Sequence, residues 1–168
     1  MVSIALEFEA KQLRATYPGE LFRFRLRNQL ATGITLAIEP VRHALVGVVE
    51  FSEIGHPFWV QIPLSESCFS FGTDWAIEPI IGSQTYPNNV TLEDRRRILF
   101  MHEGKAFLRF DRPQNPSDFE ATYACISGDE HLQDSPDVQA APFAEWRIWL
   151  SSEDRLRLGA KPFLEFGG

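Results

Sequence analysis

The sequence predicts an α+β fold made mainly of antiparallel sheet, meander-like or sandwich-like, with one central helix near residues 92–104 and a short C-terminal helix. Short apolar runs with alternating side chains are separated by regular Pro, Gly and Asn turns, a pattern typical of antiparallel strands. Fourteen Phe and four Trp against two Met favour packing on a sheet. A capping pattern in the middle of the chain indicates a helix. An all-β sandwich or barrel is the alternative.

All of the chain, residues 1–168, is predicted to form a single domain. A chain of 168 residues buries about 70% of its unfolded surface, enough for one core. Its composition is 44% hydrophobic and 23% charged, which is ordinary for globular proteins. No internal repeat or linker divides it.

The first strands are predicted from strict alternation. Residues 2–9 form a half-buried strand, and Tyr17–Glu20 carries a Pro-Gly turn. In the next strand, Phe22, Phe24 and Leu26 point to the core, and the open face carries a row of guanidinium groups from Arg23, Arg25 and Arg27. This row is either a surface for an anionic ligand or a solvated face paired with acids such as Glu7 and Glu9 on a neighbouring strand.

Five more strands follow from the same pattern of apolar runs ended by turns. They are Ile34–Glu39, Ala44–Ser52, Phe58–Ile62, Cys68–Phe71 and Trp75–Ile77. The Ala44–Ser52 run is apolar on both faces, which predicts a position near the centre of a sheet. Gly47 within it indicates a bulge or a tight crossing.

Two readings compete for the middle of the chain. Thr91 followed three residues later by Asp94 resembles a capping box and predicts a helix from about Leu92. Alternatively, residues 98–110 form a hairpin that turns at His102–Lys105, because the later residues alternate. The start signal favours the helix.

The last third of the chain combines strands with an acidic loop. Phe119–Ile126 and Phe143–Leu150 are predicted strands, and residues 127–142 between them contain acids but no Lys or Arg. Ser151 or Ser152 is predicted to cap a short helix that ends by Gly159. A tail strand over residues 163–166 closes the chain.

Charge and composition restrict the partners and the compartment. The net charge is −7 and the pI about 5.1, which argues against nucleic acid and anionic membranes as partners. The first residues lack the basic leader of a signal peptide, and the longest uncharged apolar run, Ala44–Val49, is too short to span a membrane. Cys68 and Cys125 match no metal spacing and are expected to be reduced, buried thiols. We therefore expect a cytoplasmic protein.

No catalytic motif is found. The sequence contains no nucleophile elbow, phosphate-binding loop, dinucleotide fingerprint or zinc-protease helix motif. Its four histidines lie in separate turns: His43, His56, His102 and His131. We expect no metal site and no cofactor, and the pattern does not motivate an enzyme.

The stretch from Phe71 to Phe110 resembles small bacterial toxin-immunity proteins. A Trp, a Pro, a polar turn and a capped basic-apolar run follow one another there, at Trp75, Pro79, Thr91, Glu93, Arg96, Ile98 and Leu99. The resemblance implies a cytoplasmic protein that neutralises a toxin by binding it, and it specifies no contact residue.

The lead hypothesis is therefore a non-enzymatic protein that binds another protein, such as a basic toxin domain. The candidate contacts are the loop acids Asp129, Glu130, Asp134 and Asp137, which would steer a basic partner.

The alternative hypothesis is a β-barrel or sandwich that binds a small molecule, or an enzyme acting on an anionic ligand. Aromatic side chains line its expected pocket: Phe22, Phe24, Trp59, Phe69 and Trp75. An arginine of the row Arg23, Arg25 and Arg27 would hold the anionic group.

Overall fold

The computed structural model describes residues 9–86, 91, 95–112, 122–126, 131–132 and 140–167. Antiparallel sheet dominates these residues: they contain three sheets, one short α-helix and two single-turn 3-10 helices at Leu13–Ala15 and Ile81–Ser83. The predicted predominance of antiparallel sheet is thus confirmed. That residues 1–168 form a single domain stays a prediction.

The large sheet holds the first six strands in the order β1-β6-β2-β3-β4-β5. These strands are β1 (Glu9–Gln12), β2 (Leu21–Leu26), β3 (Gln29–Glu39), β4 (His43–Glu50), β5 (Phe58–Pro63) and β6 (Ser67–Gly72). Tight turns join β2 to β3 and β3 to β4, and strand β6 returns to lie between β1 and β2. The predicted strand over residues 2–9 lies outside the described residues except for Glu9.

The middle sheet has the order β11-β10-β9-β8-β12 and the small sheet the order β14-β13-β7. The strands are β7 (Ala76–Pro79), β8 (Leu99–His102), β9 (Lys105–Phe110), β10 (Thr122–Cys125), β11 (His131–Leu132), β12 (Ala141–Phe143), β13 (Trp146–Trp149) and β14 (Leu164–Phe166). The single predicted strand over residues 143–150 is two strands in two sheets, because the chain leaves the middle sheet after Phe143.

Two cores flank the large sheet, and a third, smaller cluster of buried residues lies in the middle sheet around Phe100 and Tyr123. The main core is shared by all three sheets and includes Leu21, Ile34, Leu108, Phe110 and Trp146, all buried. The second core lies on the other face of the large sheet and includes Leu13, Phe22, Phe24, Val46 and Phe58. Strand β4 contributes to both cores through its apolar residues on both faces, but it is the second strand from the edge of the sheet and not central as predicted.

Gly47 marks a tight crossing between two sheets. A Cβ atom built on Gly47 would lie 2.7 Å from the Phe110 ring, and Phe110 is completely buried. The glycine is therefore needed because the aromatic ring from β9 lies directly on the backbone of β4.

The predicted central helix near residues 92–104 is wrong for its described part. Residues 99–110 form the β8–β9 hairpin instead, with His102 opposite Lys105. Glu103 and Gly104 both have positive φ, +49° and +76°, which is the geometry of a tight two-residue hairpin turn. Among the described residues before this hairpin, Arg95 is helical, and its N–H donates to the Thr91 carbonyl at 3.1 Å.

The predicted C-terminal helix is confirmed as α1 (Ser152–Leu156). The Ser151 hydroxyl accepts a hydrogen bond from the Asp154 N–H at 3.0 Å, which satisfies one of the free amides at the helix start. Gly159 follows with φ of +78°. No helix in the described part of the chain is long and apolar enough to cross a membrane.

Candidate functional site

The site begins with a cleft beside β5, here called the β5 cleft. Its volume is about 480 Å³, and its walls come from the end of β2, the β4–β5 connection, β5 and the residue after Asp111. The lining residues are Leu26, Arg27, Phe51, Ile54, Phe58, Trp59, Val60, Gln61 and Arg112. Among these described residues, two carry a guanidinium group and none carries a carboxylate.

A strained turn places Arg27 at the mouth of this cleft. Arg27 and Asn28 link β2 to β3 with φ values of +48° and +64°, so both adopt the left-handed geometry of a two-residue hairpin. Asn tolerates this geometry, whereas Arg does so at some cost. The Arg27 guanidinium lies 3.5 Å from the Glu53 carboxylate, and both side chains are about half exposed. Such an exposed pair contributes less than about 1 kcal/mol.

Aromatic rings form the apolar floor. Phe51 and Phe58 pack edge to face with ring centroids 6.0 Å apart, and Phe58 is buried. Ile54 turns back to bridge Phe51, since its N–H donates to the Phe51 carbonyl at 3.2 Å. This short turn holds the apolar side chains against β5.

Trp59 and Arg112 form the opposite wall. The Arg112 guanidinium carbon lies 5.6 Å from the centre of the Trp59 ring, a distance at which the cation is attracted to the ring face. The backbone brings them together: the Trp59 N–H donates to the Asp111 carbonyl at 2.9 Å, and the Asp111 N–H donates to the Pro57 carbonyl at 3.3 Å. The end of β9 is thereby joined to β5.

Asp111 anchors this junction through its side chain as well. Its carboxylate is completely buried; Oδ1 accepts from Arg109 Nε at 2.7 Å, and Oδ2 lies 3.2 Å from Arg96 Nε. His56 Nδ1 lies 3.9 Å from Oδ2. A buried carboxylate is tolerated only when cations and hydrogen-bond donors offset its desolvation, and here guanidinium groups supply that compensation.

The cleft unites two of the predicted ligand-binding residues, Arg27 and Trp59. Arg23 lies elsewhere: its guanidinium stacks on Phe163 at 4.6 Å and lies 3.8 Å from Glu50. Arg25 is exposed on β2 and does not line the cleft.

Glu9 does not lie beside the arginine row, as the predicted pairing would require. Glu9 is on β1, which β6 separates from β2, and its carboxylate lies 3.8 Å from Lys11. Glu50 and Glu53 take its place beside Arg23 and Arg27. Glu7 lies outside the described residues.

The other predicted aromatic residues are dispersed. Phe22 and Phe24 are buried in the second core, and Phe69 is half exposed opposite Arg23. Trp75 lines a separate cleft of about 470 Å³ and donates from Nε1 to the Gly19 carbonyl at 2.7 Å.

Some predicted positions fall outside the described part of the chain. These are Asp129, Glu130, Asp134 and Asp137, so the structure places none of the candidate contacts of the lead hypothesis. Glu93, in the stretch that resembles immunity proteins, also lies outside it.

Sequence reasoning missed Arg112, His56 and the buried Asp111. Arg109 and Asp111 are two residues apart, the spacing that puts side chains on one face of a strand. That spacing was a usable signal for an internal ion pair. No local sequence pattern predicts that His56 and Arg96 lie beside Asp111.

The described residues contain no group of three or more His, Cys, Asp or Glu side chains arranged to hold a metal ion. No protein-family model, curated protein or solved structure gives a significant match to this chain.

Proposed function

We propose that the protein is a non-enzymatic binding protein whose β5 cleft takes a small organic anion with an apolar body. One observation carries this proposal: Arg27 and Arg112 line the same cleft as Phe51, Phe58 and Trp59. A volume of about 480 Å³ lies in the range typical of small-molecule sites.

The charges of the cleft favour an anion. A charge-assisted hydrogen bond from a guanidinium to a carboxylate, sulfonate or phosphate contributes about 1.5–3 kcal/mol. The competing contact of Arg27 with Glu53 is exposed at 3.5 Å and therefore weak. A ligand anion can displace it at little cost.

The apolar lining favours a ligand with a hydrocarbon or aromatic body. Burial of apolar surface stabilises binding by about 25 cal/mol per Å². The half-buried Trp59 presents a flat surface on which a ring or chain can lie. The expected ligand class is an aromatic or aliphatic carboxylate, sulfonate or phosphate.

Titration with anilinonaphthalene sulfonate, an aromatic anion that fluoresces in apolar sites, tests this proposal. We expect saturable binding that the double variant Arg27→Gln/Arg112→Gln weakens at least tenfold, because both charge-assisted contacts are lost. The matched control is Arg25→Gln/Arg42→Gln, which removes two exposed arginines outside the cleft. Equal binding by both double variants, or no saturable binding by the parent protein, contradicts the proposal.

A second proposal is that this cytoplasmic protein binds a basic protein, such as a toxin domain. The net charge of −7 and the acidic segment at residues 127–142 support it, because complementary charge accelerates association. Recovery of a partner from lysate, followed by its loss when Asp129, Glu130, Asp134 and Asp137 are replaced by Asn or Gln, is the expected result. Partner binding that these replacements leave unchanged at low salt contradicts the acidic-loop interface.

A further inference from the structure

A second cleft lies on the other side of the β4–β5 connection, here called the His56 cleft. Its volume is about 360 Å³. Its walls are the end of β4, the β4–β5 connection, Arg97, and the aromatic pair Trp146 and Phe166 of β13 and β14. Phe51 and Ile54 line both clefts, so one short connection separates them.

Arg97 provides a cation that the described residues leave available. No carboxylate of a described residue lies within 4.0 Å of its guanidinium, and its side chain is exposed. The guanidinium lies against Gly55, since a Cβ atom there would be 3.4 Å from Arg97 Nη2. Arg97 and His56 both line this cleft.

A backbone carbonyl and a buried carboxylate lie beside Nδ1 of His56 and orient its ring. Its Nδ1 lies 3.0 Å from the Pro57 carbonyl and 3.9 Å from the buried Asp111 carboxylate. With the Nδ1–H donated towards that carbonyl, Nε2 is left for a ligand. When the imidazole is protonated, Nε2–H becomes a charged donor.

The charges that face His56 come from several elements. Arg96 and Arg109 hold Asp111 from the far side, and Arg97 and Glu50 line the cleft. The Glu50 carboxylate is engaged elsewhere, because it accepts from the Thr32 hydroxyl at 2.9 Å and lies 3.8 Å from Arg23. The lining therefore carries one cation, Arg97, and one anion, Glu50, and the anion lies near Arg23 outside the lining.

The aromatic wall fixes the Arg97 backbone. The Trp146 and Phe166 rings stack at 3.8 Å with an angle of 14° between their planes. Trp146 Nε1 donates to the Arg97 carbonyl at 3.0 Å. Because Trp146 is buried, this contact ties Arg97 to the main core and limits the cost of ordering it around a ligand.

We propose that the His56 cleft is a second anion site, which binds an oxyanion group between the Arg97 guanidinium and the protonated imidazole of His56. The ligand class is a sulfate, phosphate or carboxylate group. Protonation of the imidazole adds a second charged donor for the anion. The inference does not depend on the β5 cleft, whose arginines are different.

Titration with inorganic sulfate tests the proposal, since sulfate stays a dianion over the pH range used. The readout is the NMR signal of the His56 ring, assigned by its loss in His56→Asn, with chloride at equal ionic strength as the reference salt. We expect saturable shifts, and weaker binding when the titration is repeated at higher pH. Arg97→Gln should weaken binding at least tenfold.

Two control variants separate the possible outcomes. Arg95→Gln removes a nearby arginine that does not line the cleft and should leave sulfate binding unchanged. Arg27→Gln/Arg112→Gln should also leave it unchanged, so failure of the β5 cleft proposal does not affect this one. Shifts that do not saturate, that match those in chloride, or that persist in a folded Arg97→Gln protein overturn the proposal.

Discussion

Glu20 and Asp111 are both buried carboxylates, 2% and 0% exposed, but they are stabilised differently. Glu20 accepts from the Tyr17 N–H at 2.7 Å and from the Ser70 hydroxyl, and it contacts the Lys11 ammonium. These partners all lie in or beside the large sheet. Asp111 instead contacts arginines on the chain segments before and within the middle sheet, while its backbone pairs with residues at β5 of the large sheet.

The difference shows that two equally buried carboxylates can have separate structural roles. Glu20 binds an amide, a hydroxyl and an ammonium donor that all lie in or beside one sheet. Neither cleft proposed as a binding site includes it. Asp111 joins two sheets and lies between the two clefts, next to Arg112 and facing His56. Loss of either carboxylate should destabilise the fold, but only loss of Asp111 should also disturb ligand binding.

The largest expected effect is that of Asp111→Asn. Removing the charge leaves buried guanidinium groups without their anion, which costs about 3–5 kcal/mol of unfolding free energy. Urea unfolding measures this loss, and titration with anilinonaphthalene sulfonate should show weaker binding in the β5 cleft. A loss below about 1 kcal/mol would show that Asp111 is not a structural junction.

A somewhat smaller effect is expected for Glu20→Gln. The amide oxygen still accepts hydrogen bonds, but the partly buried Lys11 loses its counter-charge, so we expect a loss of about 2–3 kcal/mol. Sulfate and dye binding should stay unchanged. The control is Glu53→Gln, an exposed carboxylate that should change stability by less than about 1 kcal/mol. Weakened ligand binding in Glu20→Gln would remove the distinction between the two carboxylates.

The protein should also lose stability at alkaline pH, because two groups beside Glu20 titrate there. Burial, and then the Glu20 charge, raise the pKa of the Cys68 thiol from 9.0 to about 11, although Lys11 opposes them. Between those values the unfolded chain releases the thiol proton and the folded chain keeps it, so stability falls as pH rises from 9 to 11.

Lys11 acts in the same direction at higher pH. Burial lowers the pKa of Lys11, but the hydrogen bond and charge of Glu20 outweigh it and raise the pKa above 10.5. This contribution is present below pH 10.5 and is lost as pH rises through the folded-state pKa.

The alkaline loss through Cys68 can be measured by urea unfolding. Between pH 9 and 11 the unfolding free energy of the reduced protein should fall by at most about 3 kcal/mol because of Cys68. Cys68→Ala should flatten that slope, and an unchanged slope contradicts the assignment.

The smallest effect is expected far from both carboxylates, at the β3–β4 turn. Val41 follows Pro40 with φ of +75° and is 96% exposed, and the Arg42 N–H donates to the Glu39 carbonyl at 3.2 Å. This geometry suits Gly or Asn better than a β-branched residue. Val41→Gly should raise the unfolding free energy by about 0.5–1 kcal/mol, whereas Val41→Ile should not. Thermal unfolding distinguishes the two, and a destabilised Val41→Gly contradicts the turn geometry.

The hairpin at residues 99–110 illustrates why local signals misled. The Thr91 and Asp94 pattern is a local helix signal, and only the start of a helical turn, at Arg95, is present in the described residues. Leu99 and Leu108 are buried in the main core against Leu21, and β10 and β12 pair on either side of the hairpin. Those neighbours come from distant sequence, so their pairing overrides local propensity.

The sequence by itself determined the local features of this protein: alternating strands, a glycine at the irregular position 47, and a serine cap before the short C-terminal helix. Each depends on side chains a few residues apart or on a backbone that needs glycine. Only the tertiary structure decided how the strands divide among three sheets, and that Asp111 joins two of them. It also decided that Arg27 and Trp59 share a cleft with Arg112, since these contacts connect residues more than thirty positions apart and leave no periodic pattern along the chain.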